Sequence, residues 1–425
     1  MSHTSARLRR GAVVAVAAGT LLVPLAGAPA GAVPASTPAV SAAPAVSAVS
    51  AADPPSPSPS GPDVRALTPA VARQLDAAVR NVMREANIPG VTVGIWTPDQ
   101  GTYVGSFGVA DKSNGRRMSS DLYSRIGSET KTFTVTALLQ LVDQVRVGLD
   151  DPIGRYVAGV PNGDTITLRQ LAGMRSGLFN YSEDDDFFKA LTSDPQRSFT
   201  PQQLLDYSFR HPVLFQPGQK FSYSNTNLIL LGLVVEKQSG QPLGDYIRQH
   251  VTDPAGMKHT LFPSGAEFPE PHAQGYTNQT ADGKVADAAD WNTSWGWAAG
   301  AMISTLDDLR VWARTVATGQ FPDGRRMISE ATQQQRLTTP ATPIPGVGYG
   351  LGIFDVQGWI GHNGSLPGYE SLTVYLPSAQ ATLVVLLNTD IDHDGQEPST
   401  LVGEAVTKIV SPGHVFDLPA EPAAR

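Results

Sequence analysis

Hydrophobic positions change their spacing several times along the chain, and each change marks an element. Residues 70–85 repeat apolar side chains at helical spacing. Gly90-Val-Thr-Val-Gly-Ile-Trp96 and Gly101-Thr-Tyr-Val-Gly-Ser-Phe-Gly-Val109 then read as two strands of a hairpin turning at Pro98-Asp-Gln-Gly101. In the run 132–145, Phe133, Leu138, Leu141, Val142 and Val145 fall near helical spacing, which predicts a buried helix. From there to about Trp297, helical patterning alternates with loops, including an apolar helix over 228–235. The acidic run 183–186 reads as a solvated loop. Late in the chain, 372–376 and 381–387 are two strands joined by Pro377-Ser-Ala-Gln380, and 404–410 suggests a closing helix. Strands at both ends with helices between them predict one α/β sheet completed by both termini, with a helical insert. No internal repeat is visible.

The first 66 residues stand apart from this pattern. Arg7, Arg9 and Arg10 form a basic segment, 11–25 is apolar with few polar breaks, and Ala30-Gly31-Ala32 is a small-residue cleavage signal. This predicts a signal peptide over 1–32 and a secreted product starting near Val33. The apolar run is short for a bilayer span, and the paired arginines leave a twin-arginine route open. Residues 33–66 are rich in Ala, Pro and Ser, almost without charge until the final residues, and read as a disordered linker. The globular part is expected over 67–415, with an α/β part at 67–127 and 300–415, a helical insert at 128–299, and a tail at 416–425.

Composition narrows the function. At 425 residues and 41% apolar content the chain can bury a large core. A formal net charge of -8 argues against nucleic acid and anionic membrane as partners. With no cysteine, disulfides, thiol catalysis and a lipid-anchoring cysteine are all excluded. No later run is long enough to span a membrane, and a monomer is expected.

The chemistry centres on Ser128-Glu129-Thr130-Lys131, after the break at Gly127. Three residues is close to one helical turn, so Lys131 Nζ can lie beside Ser128 Oγ. A serine hydroxyl is a weak nucleophile until a base takes its proton, and a desolvated lysine can be that base. The helix N-terminus offers free N–H groups where an oxyanion forms. Of eight lysines, only Lys131 has a serine three residues before it. Tyr223-Ser224-Asn225 precedes the helix at 228–235, so Tyr223 is a candidate proton shuttle and Asn225 a candidate for binding a substrate amide. A second Tyr-x-Asn at Tyr276 lies in a polar stretch with no apolar helix after it. His362-Asn363-Gly364-Ser365 comes just before the strand at 372–376, where a small Gly364 lets an extended substrate approach the strand edge. The competitor His393-Asp394-Gly395 lies in an acidic loop. That loop begins like a calcium site at Asp390, Asp392 and Asp394, but position twelve is Leu401 where a glutamate is needed, so calcium is disfavoured. There is no His-Glu-x-x-His run and no Gly-x-Ser-x-Gly elbow; no metal or cofactor is expected.

In this order, Ser-x-x-Lys at Ser128, Tyr-x-Asn at Tyr223 and His-x-Gly at His362 resemble the three motifs of the penicillin-recognising serine hydrolases. That group includes class C β-lactamases, related esterases, and secreted D-alanyl-D-alanine carboxypeptidases. The likeness is closest to the carboxypeptidases, through Tyr223-Ser-Asn-Thr-Asn227, Ser294-Trp-Gly-Trp-Ala-Ala-Gly-Ala301, Tyr349-Gly-Leu-Gly352 and Gly361-His-Asn-Gly364, and runs from about Leu67 to Thr407. The resemblance implies an α/β fold with a mixed, mainly antiparallel sheet flanked by helices, a mostly helical subdomain, and the active site in the cleft between them. It implies Ser128 as acylated nucleophile, Lys131 as its base and Tyr223 as proton shuttle. Asn225 would hold the substrate amide, His362 would supply polarity, and the N–H groups of Ser128 and Ser365 would form the oxyanion hole. Trp295 matches an aromatic residue lining the acyl pocket, and core packing is a competing role for it.

One departure bears on specificity. Carboxypeptidases of this type carry an arginine just after the Tyr-Gly-Leu-Gly run, where it binds the substrate's terminal carboxylate. Here the stretch is Ile353-Phe354-Asp355, and no Lys or Arg occurs between Arg336 and Lys408. A buried carboxylate without a cationic partner is costly. Arg175, Arg197 and Arg210 of the helical insert remain as possible replacements. The expected substrate is a small peptide, ester or β-lactam. A D-Ala-D-Ala carboxypeptidase leads, an esterase or β-lactamase is the alternative, and a non-catalytic penicillin-binding module comes last.

Overall fold

Both ends of the chain contribute strands to one sheet, as the alternation of patterns predicts. The computed structural model describes residues 63–419. The expected signal segment, nearly all of the linker and residues 420–425 lie outside the described residues. The N-terminal strands are β1 (Gly90–Thr97), β2 (Gly101–Asp111) and β3 (Arg116–Arg117). The C-terminal ones are β4 (Val347–Tyr349), β5 (Phe354–Val356), β6 (Trp359–Leu366), β7 (Tyr369–Leu376) and β8 (Ala381–Leu387). Their order across the eight-stranded sheet is β3-β2-β1-β8-β7-β6-β5-β4. Every pairing within this sheet is antiparallel. The two halves join at β1 and β8, in a register that sets Val93 opposite Val385 and Ile95 opposite Leu383.

Helices cover both faces. Thr68 caps α1 (Pro69–Glu85), its hydroxyl accepting from the Val71 N–H at 3.3 Å, and Pro69 opens the first turn, where a missing N–H costs nothing. This helix lies beside α6 (Pro398–Val410). On β7, Leu372 faces α6, whose Gly403 admits it closely: a Cβ there would lie 2.7 Å from the leucine Cδ2. Three residues on, Tyr375 faces the other way and packs against Ala313 and Ala317 of α5 (Leu306–Thr318). Residues of β1, β7 and β8 are therefore buried on both faces, and they read as near-continuous apolar runs instead of alternating.

The first site helix, α2 (Thr130–Asp143), is buried along most of its length and packs on α4 (Asn225–Ser239), the start of which carries Asn225. Phe133 of α2 stacks on Trp312 of α5 at 3.9 Å between ring centroids, tying the helical part to the sheet part.

Three readings of the sequence change here. The run 183–186 is not simply a solvated loop. Asp184 is buried and caps α3 (Asp185–Ser193), accepting from the Phe187 N–H at 2.8 Å while it binds Arg210 and His211. The other three acidic residues of the run, Glu183, Asp185 and Asp186, are exposed. His362 to Ser365 do come just before the strand at 372–376, but they are themselves part of a strand, β6, paired with β7 while the start of β6 pairs with β5. Gly361 and Gly364 depress strand propensity there, and pairing along β7 overrides it. The ordered core also extends to Phe416, which is fully buried against Phe354.

Candidate active site

Ser128 sits in a single tight turn, Gly127–Glu129, that leads into α2. Lys131, one helical turn later, is fully buried, and its Nζ lies 2.8 Å from Ser128 Oγ. The same nitrogen donates to the Ala299 carbonyl at 2.7 Å and stands 4.9 Å above the Tyr223 ring. Burial pushes the amine well below its ordinary value. A neutral amine has two hydrogens and one lone pair. With a hydrogen committed to Ala299, the lone pair is free to meet the Ser128 hydroxyl proton.

Tyr223 is almost completely buried, facing the Ser128 side chain and lying under the Lys131 amine. Burial, together with neighbouring Tyr349, holds its phenol well above the usual range, so it is a proton donor at neutral pH. Asn225 is fixed by the loop across from it: its N–H donates to Asn180 Oδ1 and its Nδ2 to Ser182 Oγ, both at 3.1 Å. Tyr276 takes no part, since its hydroxyl accepts from the Lys112 N–H at 2.7 Å and Lys112 covers its ring.

His362 lies on the face of β6 that looks toward α2. Its ring centroid is 6.2 Å from that of Tyr223 and 5.3 Å from Phe354. Nδ1 is 2.5 Å from the Asn363 carbonyl and Nε2 is 3.1 Å from the Tyr349 hydroxyl. Burial first, then the charge of Lys131 when present, push its pKa down to about 3, so the ring is neutral. Two residues on, Gly364 is required by the protein itself: a Cβ there would lie 2.0 Å from the Ile126 carbonyl. A Cβ on Gly127 (φ 49°) would meet the Ser365 nitrogen at 2.7 Å. The Ser128 turn and the Ser365 backbone are thus pressed together, which sets the two expected oxyanion donors side by side.

Trp295 is buried in an aromatic cluster, 5.9 Å from Phe187, and its carbonyl accepts from the Tyr181 hydroxyl at 2.6 Å. Next to Ser128, Glu129 is fully buried facing the hydroxyls of Ser371 and Thr373. Burial raises its pKa from 4.5 to about 8. Asp390 is turned inward, accepting from Thr277 Oγ1 at 3.0 Å and from the Gly368 N–H at 2.9 Å. Among the described residues no group of three or more His, Asp or Glu is arranged to hold a metal ion.

Each candidate cation for a substrate carboxylate is otherwise engaged. Arg175 donates to the Ala341 carbonyl at 3.1 Å, Arg197 lies over Phe199, and Arg210 binds Asp184. Arg336 is buried under α2, bonded to Thr136 Oγ1 and the Thr132 carbonyl at 2.8 Å each. At the expected arginine position, Phe354 packs between His362 and Phe416. Sequence reasoning gave no role to Tyr349, although it stands in a run already singled out. It also missed Ala299, whose contribution is a carbonyl and leaves no trace in residue type.

Comparison with known proteins points the same way as the geometry. Residues 75–407 match the family described as Beta-lactamase. Protein flp of Staphylococcus aureus (strain MW2) is 26% identical over 329 residues, covering 76% of this chain and 64% of flp. The chain thus spans less than two thirds of that relative. A putative penicillin-binding protein, PbpX of Bacillus subtilis (strain 168), is 24% identical over 310 residues, 73% of each chain. Among solved structures, a D-stereospecific amidohydrolase from Streptomyces sp. superposes with a TM-score of 0.68 at 30% identity, over 79% of this chain and 97% of that one. A D-amino acid amidase from Ochrobactrum anthropi SV3 gives 0.68 at 29% identity over the same shares. An octameric penicillin-binding protein homologue from Pyrococcus abyssi, at 24% identity and a TM-score of 0.66, shares the fold.

Proposed function

Because the chain belongs to the beta-lactamase family, we propose that it is a secreted serine hydrolase that cleaves amide bonds next to a D-configured residue through an acyl-enzyme on Ser128. The observation that carries this reading is the 2.8 Å contact between Ser128 Oγ and a fully buried lysine amine that desolvation drives toward its neutral form. Neutral Lys131 takes the hydroxyl proton as Ser128 attacks the substrate carbonyl. The N–H groups of Ser128 and Ser365 hold the oxyanion, and Asn225 positions the amide on the acyl side. Tyr223 passes a proton to the departing nitrogen, and water then releases the acyl group by the same route in reverse. His362 remains a neutral polar wall. The reaction needs no cofactor.

The leaving group separates this reading from plain D-Ala-D-Ala carboxypeptidase activity. A terminal carboxylate needs a counter-charge, and the expected position holds Phe354. An amide, amine or ester leaving group needs none, which fits the amidohydrolase and amidase likenesses. Residues 1–32 serve as a cleaved export signal, and the enzyme acts as a monomer, a state that light scattering in solution tests directly.

Two measurements decide the reading. Mass spectrometry after penicillin or fluorophosphonate treatment should place one adduct on the Ser128 peptide. A label on a different serine, with Ser128→Ala still active, would overturn the nucleophile. Matched substrates ending in D-Ala amide and D-Ala acid should be cleaved with the amide at least comparable in kcat/KM. Losing a hydrogen bond to a charged group is worth about ten- to a hundredfold in rate. A preference of that size for the acid would restore the carboxypeptidase. A cephalosporin and a chromogenic ester run alongside report β-lactamase and esterase turnover.

A further inference from the structure

His362 has both ring nitrogens committed, and the partners differ in kind. Its Nδ1 faces the Asn363 carbonyl at 2.5 Å, and a carbonyl oxygen can only accept, so Nδ1 carries a hydrogen. In a neutral imidazole the other nitrogen is then a bare lone pair. The hydroxyl 3.1 Å from Nε2 belongs to Tyr349, which must therefore donate. We propose that Tyr349 is a positioning residue that locks His362 as the neutral Nδ1–H tautomer and so leaves Lys131 the one base within reach of Ser128. The inference rests on the assignment of the site given above.

The surroundings of Tyr349 are built to place that hydroxyl. The tyrosine is buried, with Phe221 at 5.5 Å and Tyr223 at 6.3 Å between ring centroids. Its N–H donates to the Pro340 carbonyl at 3.1 Å, and the next residues turn back at once, the Gly350 N–H donating to the Ile353 carbonyl at 2.8 Å. The turn is pressed onto its neighbours at both glycines. A Cβ on Gly350 would lie 2.2 Å from the Arg336 carbonyl, and one on Gly352 (φ 65°) would lie 2.6 Å from Val135 of α2. The run Tyr349-Gly-Leu-Gly352 thus fastens the tyrosine to the same helix that carries Lys131. Lys131, Tyr223 and Tyr349 are the titratable groups facing the imidazole, and Glu397 lies beyond Asn363, accepting from its Nδ2 at 2.6 Å.

The lock has a chemical purpose. An imidazole with a free lone pair facing Lys131 and Tyr223 would compete for the proton that the lysine must take. A hydroxyl donating to that lone pair stabilises the neutral ring and disfavours its protonation. Removing the hydroxyl leaves a buried acceptor unpaired and lets the ring take the other tautomer, turn, or gain a proton.

Long-range proton–nitrogen correlation spectra of the histidine side chains test this without any turnover. His362→Gln assigns one of the eight histidine signals. In the unmodified protein that signal should show the Nδ1–H tautomer, unchanged between about pH 5 and 9, a window in which free imidazole titrates. In Tyr349→Phe, which keeps the ring packed on Phe221, the signal should show mixed tautomers or a proton taken up at higher pH. The kcat should fall about ten- to a hundredfold with KM within threefold, as expected for an unpaired buried acceptor. Phe221→Leu disturbs the packing and spares the hydroxyl, so its tautomer should match that of the unmodified protein. An Nε2–H or doubly protonated ring in the unmodified protein overturns the proposal whether or not the variant folds. So does a Tyr349→Phe spectrum and pH profile identical to the parent's. An adduct on a serine other than Ser128 with the Nδ1–H tautomer intact would fault the functional assignment and not the lock.

Discussion

At the scale of single residues, the site works by removing charge. Lys131, Tyr223 and His362 are all ionisable and all buried, and burial drives each toward its neutral form. Positioned acid–base groups contribute about 10²–10⁴-fold in rate, so Lys131→Ala and Tyr223→Phe should each lose that much activity while melting normally. Tyr276→Phe should be nearly silent, and an exchange of phenotypes between the two tyrosines would sink the choice of Tyr223. Glu129 follows the same logic away from the chemistry. Its pKa rises on folding from 4.5 to about 8, so the folded state takes up a proton. The associated stability is complete below about pH 4.5 and is lost as the pH climbs through 8. Glu129→Gln should flatten that decline in thermal melts taken across this window. Glu370 and Asp390, buried and also shifted upward, keep the same sign and leave a residual slope. A variant whose melting curve against pH matches the parent's would show that Glu129 is not buried in the proton-bound form.

At the scale of elements, the decisive contact is between β6 and the turn before α2. Gly364 meets the Ile126 carbonyl and Gly127 meets the Ser365 nitrogen, so neither can take a Cβ without separating the strand from the Ser128 turn. Gly364→Ala should cost about 1–3 kcal/mol in stability by overpacking. It should cost more than tenfold in kcat, since a shift of about 1 Å in a positioned group suffices for that. Stability loss with full activity would mean that Ser365 plays no part in the oxyanion site. The acidic run before α3 shows a second elemental device. Desolvation alone would raise Asp184, but Arg210, His211 and the Phe187 N–H together draw it down to about 2. Its contribution is therefore present above about pH 4 and is lost as the pH falls toward 2. Asp184→Ala should destabilise by about 1 kcal/mol or more at neutral pH from the lost cap alone. It should matter much less near pH 2, which urea titrations at the two pH values would reveal.

At the scale of the whole molecule, the helix that carries Lys131 is held between a helical lobe and a sheet made by early and late segments of the described residues. The strand β6 that faces Ser128 comes more than two hundred residues after it, so the site exists only in the folded state. The same holds for Ala299, which fixes Lys131 from another segment. For the N-terminal residues, sequencing of exported protein should begin at or near Val33. A product that keeps residues 1–32 would remove the secretion reading without touching the site. No helix among the described residues is long and apolar enough to cross a membrane.

Much of this was legible in the sequence, because local patterns carried it. Helical periodicity placed α1, α2 and α4, alternation and a turn placed the β1–β2 hairpin, and apolar runs placed β7 and β8. The spacing of Ser128 and Lys131 within one helical turn fixed their proximity, since helix geometry alone determines it. What the sequence could not specify were contacts between distant segments. The glycine-rich β6 has little strand propensity and is a strand only because β5 and β7 pair with it. Gly364 read as room for a substrate until the Ile126 carbonyl was found against it. Asp184 read as solvated because its partner Arg210 lies 26 residues away. The neutrality of Lys131 and the tautomer of His362 depend on burial and on single atoms from Ala299, Asn363 and Tyr349. Those are properties of three-dimensional packing, which no local spacing encodes.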